Sequence, residues 1–266
     1  DSTYTLTVTA WDVSGNTDVE TRSIFIQAPY IKVLTPATLP TETLIMGKDY
    51  DITWETNITS GNVKIELLSS NTLVQGIIPS TPTGIPNGSF TWTVNNLIGD
   101  NFKIRVSDAS TPSIFGVSEV FSIIHSNDFE SGLTYTNSGV VNWGIATELT
   151  SNCAKAIGES NGNITSAILT SGVFNGLLCT SLTLTFDQSI SINSSKTPNF
   201  VVEYYNGTAW KVIYDVAAST SAPQSCALPN LAADMQIRFT ANISKNGGID
   251  SWSIDNIVVS GTTAKK

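Results

Sequence analysis

Three observations predict an all-β chain of tandem antiparallel β-sandwiches: apolar and polar residues alternate strictly in short segments, turn signals separate those segments, and no helical stripe appears. The alternation runs through Tyr4-Leu6-Val8, Val63-Ile65-Leu67, Phe90-Trp92-Val94, Phe102-Ile104-Val106, Leu182-Leu184-Phe186 and Met235-Ile237-Phe239, with Thr, Ser, Lys or Arg between. Side chains of a strand alternate faces, so each segment reads as half-buried. Ser14-Gly15-Asn16, Asn87-Gly88, Asn161-Gly162, Asn206-Gly207 and Asn246-Gly247-Gly248 supply tight turns. No window of ten residues carries apolar side chains at helical spacing.

The chain has 266 residues, 41% of them hydrophobic, enough for more than one core. Only 13% are charged, and no apolar run approaches the roughly 18 residues a membrane helix needs. Membrane insertion is therefore not expected. The sequence starts at Asp1 without a secretory leader, so any leader or anchor is expected elsewhere. A formal charge of −9 and 13 scattered basic residues oppose nucleic-acid binding, which wants clustered Lys and Arg. The three cysteines, Cys153, Cys179 and Cys226, lack C-x-x-C spacing. The plain reading is one disulfide of open pairing plus one free thiol. Asn-x-Ser/Thr sites at Asn57, Asn87, Asn163, Asn193, Asn206 and Asn242 are no more than chance gives in so Ser- and Thr-rich a chain.

Boundaries are expected at Ala28-Pro29 and at His125-Ser126-Asn127, giving segments 1–28, 29–125 and 126–266. Residues 1–28 read as one hairpin, marginal alone in water. Its Thr-Leu-Thr-Val-Thr-Ala strand and its Asp12 to Asn16 turn resemble the last hairpin of a bacterial immunoglobulin-like repeat. That resemblance implies the end of a longer polypeptide's domain; otherwise the hairpin docks on its neighbour or completes another chain's sheet.

Residues 30–124 carry Ile31 to Pro36, Asp51 to Thr56, Val63 to Leu67, Phe90 to Val94 and Phe102 to Val106 in an order that resembles the Ser/Thr-rich module named after yeast cell-wall glucan-assembly proteins. The resemblance implies an immunoglobulin-like sandwich without catalysis, with Trp54 and Trp92 in its core. Residues 127–260 resemble the MAM-like, choice-of-anchor J jelly roll of cleaved-adhesin type. The resemblance rests on Asp128-Phe129-Glu130-Ser131-Gly132, Val201 to Val212, Met235 to Phe239 and the closing Trp252-Ser253-Ile254-Asp255-Asn256-Ile257. It implies a jelly roll whose relatives include carbohydrate-binding modules. The short Cys-bearing region from Trp143 to Gly158 departs from the longer, more aromatic loop of many relatives.

Catalytic constellations are not found. A serine or cysteine hydrolase needs a base beside its nucleophile, and the sole histidine, His125, falls in the expected linker. HExxH, P-loop and dinucleotide motifs are lacking. Carboxylates of the last segment show no glycosidase spacing.

Two kinds of site remain. Asp255 is expected to share a strand face with Ile257 and Val259, a poor place for a lone carboxylate. The jelly-roll resemblance makes first and last strands neighbours, which brings Glu130 near Asp255. Calcium suits that pair, with backbone carbonyls near Asn127 or Asp128 completing the shell; the alternative is that Asp255 caps turn amides or pairs with Arg238 or Lys211. The oxygens of Asp12, Ser14, Asn16 and Asp18 alternate as in calcium loops, but an Asx-type hairpin turn is the expected reading. For sugar binding, Tyr135, Trp143, Tyr205 and Trp210 are the candidate platforms. Tyr205 must face opposite to Tyr204.

The sequence thus predicts a non-catalytic, secreted or cell-surface module for adhesion, display or glycan and substrate targeting. Its partners would be a surface glycan or protein, or other copies of itself. The alternatives are an accessory region of a larger secreted hydrolase and a polymer subunit joined by strand complementation.

Overall fold

The alternating segments form strands, and the computed structural model, which describes residues 1–37 and 42–264, contains no helix among the described residues. None is therefore long and apolar enough to cross a membrane.

Strands Ser2–Trp11 and Thr17–Ile26 form a two-stranded sheet of their own. Asp12 closes their turn as an Asx motif: its Oδ1 accepts from the amides of Ser14 at 2.8 Å and Asn16 at 2.9 Å, and its Oδ2 from Asn16 Nδ2 at 2.7 Å. The Asn16 side-chain bond, then the amide bonds, hold this exposed carboxyl below the usual aspartate range. The register sets Tyr4, Leu6, Val8, Ile24 and Ile26 on one face, and all five are exposed.

The first sandwich stacks the sheet of Ile31–Thr35, Asp49–Thr56 and Asn87–Thr93 against strands that include Thr43–Ile45, Asn62–Ser69, Thr72–Pro82, Gly99–Asp108 and Phe121–Asn127. Trp54 and Trp92 are in its core. Trp54 lies flat against Gly88, where an added Cβ would come within 2.3 Å of the indole ring, and its Nε1 donates to the Thr83 carbonyl at 2.7 Å. Glu66 is buried between Lys64 and Arg105. Burial alone would raise its carboxyl, but the two cations outweigh this and hold it low.

The second sandwich packs Trp143–Glu148, Ser151–Ile157, Ser251–Thr263, Cys179–Ser191 and Gln224–Ala227 against a five-stranded sheet. That sheet runs in the order Thr136–Gly139, Thr165–Thr170, Met235–Ile243, Asn199–Asn206, Trp210–Val216. Trp252 centres the core, with ring centroids 5.5 Å from Trp143, 5.5 Å from Phe200 and 5.8 Å from Phe239. Its Nε1 donates to buried Gln188 at 3.1 Å. Buried Asp250 accepts from the amides of Asn193 (3.0 Å), Ser194 (2.8 Å) and Ser244 (3.0 Å) and from Ser194 Oγ (2.7 Å), tying two loops together. All three cysteines are free, which corrects the expectation of a disulfide. Burial raises every thiol, Cys179 to about 12, so they pack as small apolar groups.

His125 is not in a linker. It lies in the strand Phe121–Asn127, whose first half pairs with Thr43–Ile45 and Gly99–Asp108 and whose last three residues pair with Val259, Val258 and Ile257 of the closing strand. One eleven-stranded sheet therefore crosses both sandwiches. Further bonds seal the seam: Asn175 N donates to the Asn96 carbonyl at 2.7 Å, Ile98 N to the Asn175 carbonyl at 3.1 Å, and Cys179 Sγ to the Ile98 carbonyl at 3.1 Å. Asp100 Oδ1 accepts from Thr263 N at 2.6 Å and Thr263 Oγ1 at 2.7 Å.

Asp255 does not share the face of Ile257 and Val259. Thr185 pairs with Val258 and Asp187 with Asp255, so Asn256 and Ile257 together oppose the single Phe186. This is a β-bulge, with Asn256 at φ 49°. The extra residue flips the strand's parity: Trp252 and Ile254 face the core before it, Ile257 and Val259 after it, and Asp255 turns with Ser253 to the opposite face, where both are buried.

Asp100→Ala is expected to cost about 1–2 kcal/mol and to lower Tm by roughly 3–6 °C, broadening the calorimetric transition as the sandwiches uncouple. An unchanged, equally sharp transition would contradict the seam's role.

Candidate functional site

On the five-stranded sheet, alternation sends Leu169, Ile237, Phe239, Phe200, Val202 and Tyr204 into the core and their neighbours outward. Cross-strand register then assembles the outer face. Thr170, Arg238, Glu203 and Val212 lie in one row, and Gln236, Tyr205 and Trp210 in the next. Thr240 and Asn242 continue this face along their strand.

The centre of this face is locked. Arg238 donates to Glu203 Oε2 through Nε at 2.8 Å and a terminal nitrogen at 2.7 Å. Its guanidinium carbon lies 4.1 Å from the centroid of the Trp210 ring, a cation–π contact. Tyr205 stands beside Trp210 with centroids 5.6 Å apart, and its hydroxyl donates to the Gly207 carbonyl at 3.1 Å in the turn that joins the two strands. Both rings are half-buried. Tyr204 and Tyr205 do face opposite ways, the first into the core.

Of the four aromatic candidates, the structure places only Tyr205 and Trp210 on a common open surface. Trp143 is only 2% exposed and packs on Trp252, and Tyr135 is 6% exposed. Neither presents a ring on that surface: Trp143 is in the core, and Tyr135 is held against His125 and Phe129. Sequence reasoning missed Arg238, Glu203 and Gln236 as neighbours of the rings. Their alternation with core residues was visible, but the cross-strand register that groups them was not.

The expected cation ligands separate into two groups. The side chains of Asn127 and Asp128 are engaged in short-range bonds, Asn127 Oδ1 accepting from Phe129 N at 3.0 Å and Asp128 Oδ1 from Glu130 N at 3.2 Å. Asp255 accepts from Ser151 Oγ at 2.5 Å and Asn256 N at 2.7 Å. Its partner is thus neither Arg238 nor Lys211. Glu130 accepts from Asn152 N at 2.9 Å and Nδ2 at 3.1 Å. Burial raises the Asp255 carboxyl most, and the charges of Asp187 and Glu130 raise it further, while the Ser151 and Asn256 bonds oppose. Asp187, set opposite Asp255 by the bulged register, is the carboxylate the sequence did not single out. Among the described residues no ready-made cluster of three or more His, Cys, Asp and Glu ligands is found.

His125 is buried, and its Nε2 lies 2.6 Å from the Tyr135 hydroxyl. Burial pushes its imidazole down to about 4. Its partner is a phenol held in the core rather than a serine or thiol nucleophile.

No protein-family model matches the chain, and no curated protein matches it. Among solved structures it is similar to the K1 cleaved adhesin domain of Lys-gingipain from Porphyromonas gingivalis W83, at 13% identity and TM-score 0.40 over 52% of this chain and 98% of that one. It is also similar to a carbohydrate-binding module of the β-sandwich superfamily, at 14% identity and TM-score 0.36 over 87% and 97% of the two chains. A third is TmCBM61 in complex with β-1,4-galactotriose, at 14% identity and TM-score 0.36 over 50% and 94%.

The raised Asp255 carboxyl fixes a sign. Folding favours its protonated form, so in chelator-treated protein its contribution is fully present below the unfolded pKa and is lost as pH rises through the folded one. Asp255→Asn is therefore expected to gain stability relative to the parent chain as pH climbs from 4 to 7. Melting curves of the pair that stay parallel over that range would show that Asp255 is not raised.

Proposed function

We propose that this chain is a non-catalytic extracellular binding module that holds glycan on the outer face of its five-stranded sheet, in the service of adhesion, display or substrate targeting. The observation that carries the reading is Trp210, braced by the Arg238–Glu203 pair beside Tyr205 on the outer face of the five-stranded sheet. A sugar ring offers an apolar C–H face to an aromatic ring and hydroxyls around its edge. Trp210 and Tyr205 meet the first requirement. Gln236, Thr240 and Asn242, projecting from the same face, meet the second with amides and a hydroxyl. Because Arg238 already fixes the Trp210 ring, little side-chain entropy is lost when a ligand stacks on it.

Trp210→Ala is expected to weaken binding to the best oligosaccharide of an array by about tenfold or more, roughly 1.4 kcal/mol, and Tyr205→Ala by a smaller factor. Trp11→Ala, on the hairpin, should leave binding unchanged. Full retention in both sheet-face variants, or no ligand on the array and no capture by cell-wall polysaccharide, overturns the reading.

The reading includes calcium as a structural ion at Asp255 and Glu130, as a proposal beside the hydrogen-bonded account of Asp255. It is supported by the burial of Asp255 and by two neighbouring carboxylates whose repulsion no bonded cationic side chain relieves. Chelator is expected to lower the Tm of the full chain, and Asp255→Asn to abolish that sensitivity. A Tm indifferent to chelator and to added calcium would leave the Ser151 and Asn256 bonds as the whole account of Asp255.

A further inference from the structure

The seam contains a cavity of about 360 Å³ that shares no residue with the aromatic sheet face. Residues 45–48 of the first sandwich form one wall, and the end of the strand Phe121–Asn127 with the loop beyond it forms the other. It therefore exists only because the two units share a sheet.

Its chemistry is amphipathic and charge-balanced. Met46 and the ring of Tyr135 give it an apolar side, whereas Ser126, Ser131 and Thr134 bring hydroxyls. Lys48 and Asp128 contribute one charge of each sign. Asp128 engages one carboxylate oxygen with the Glu130 amide, which leaves the other to accept from a ligand. The wall is preorganised: His125 is stacked between Tyr135 at 5.6 Å and Phe174 at 5.7 Å between centroids, and is tied to the Tyr135 hydroxyl. With its imidazole lowered by burial, His125 adds no charge to the wall at pH 7. An anion would meet Asp128 and a cation Lys48, so a net-neutral ligand rich in hydroxyls and apolar on one side fits best.

We propose that the seam cavity is a second binding site, for a small neutral saccharide of one or two residues seated between Lys48 of the first sandwich and Asp128 of the second. It stands whether or not the sheet face binds glycan. Occupancy would brace the two sandwiches against each other, since both contribute contacts.

The test uses the chain's single histidine. Imidazole signals of His125 in the full chain are followed by NMR during titration with neutral mono- and disaccharides to tens of millimolar. Saturable shifts are expected. Gly172→Leu should weaken them by about tenfold or more, because Gly172 borders the cavity, has no atom within 4 Å of an added Cβ and needs no left-handed backbone. Trp210→Ala, which breaks the sheet face, should leave them intact. If Gly172→Leu does not fold, Ser131→Trp, at an exposed loop position on the rim, serves in its place. No shift with any sugar, a shift that survives the blocking variant, or a response only to zwitterionic amino acids each overturns the assignment.

Discussion

The hydrogen-bond ladder of Phe121–Asn127 is the constraint on which the rest of the structure depends. A strand can satisfy its backbone groups only along two edges. This one spends its first residues on the first sandwich and its last three on the closing strand of the second. The closing strand must then end against the first sandwich, where Asp100 receives Thr263. The cores interpenetrate accordingly: Ile98 belongs to the second, and Leu178 packs against the first. The seam cavity follows from the same ladder, because its walls are the turn after Thr43–Ile45, which pairs with the shared strand, and the loop after that strand.

Much of this was legible in the sequence, and the failures have physical causes. Period-2 alternation and turn signals located the strands and turns, and the inward phase of Trp54 and Trp92 and the opposed faces of Tyr204 and Tyr205 followed directly. The junction at His125 read as a linker because polar Ser126 and Asn127 follow an apolar run. In a strand that changes partners those residues are instead half-buried ladder members. Asp255 was placed on the wrong face by counting only forward to Ile257 and Val259. Counting back to Trp252 and Ile254 shows the parity break, and Asn256, a residue that tolerates positive φ, marks the bulge that causes it.

The candidate site was half legible. Tyr205 and Trp210 were recoverable because they flank the Asn206-Gly207 turn, which fixes their pairing over a short range. Arg238 and Glu203 lie 35 residues apart, and only the register of Met235–Ile243 with Asn199–Asn206 brings them together. Trp143 and Tyr135 looked equally eligible because an aromatic residue in sequence carries no mark of which layer it will join.

The shared strand also governs how the molecule carries load. Tension drawn between the first sandwich and the closing strand runs through Phe121–Asn127, whose last three residues pair with the closing strand by bonds that lie crosswise to the pull. Such a ladder must shear as a block rather than unzip bond by bond. The two sandwiches would thus yield together instead of extending like beads on a string.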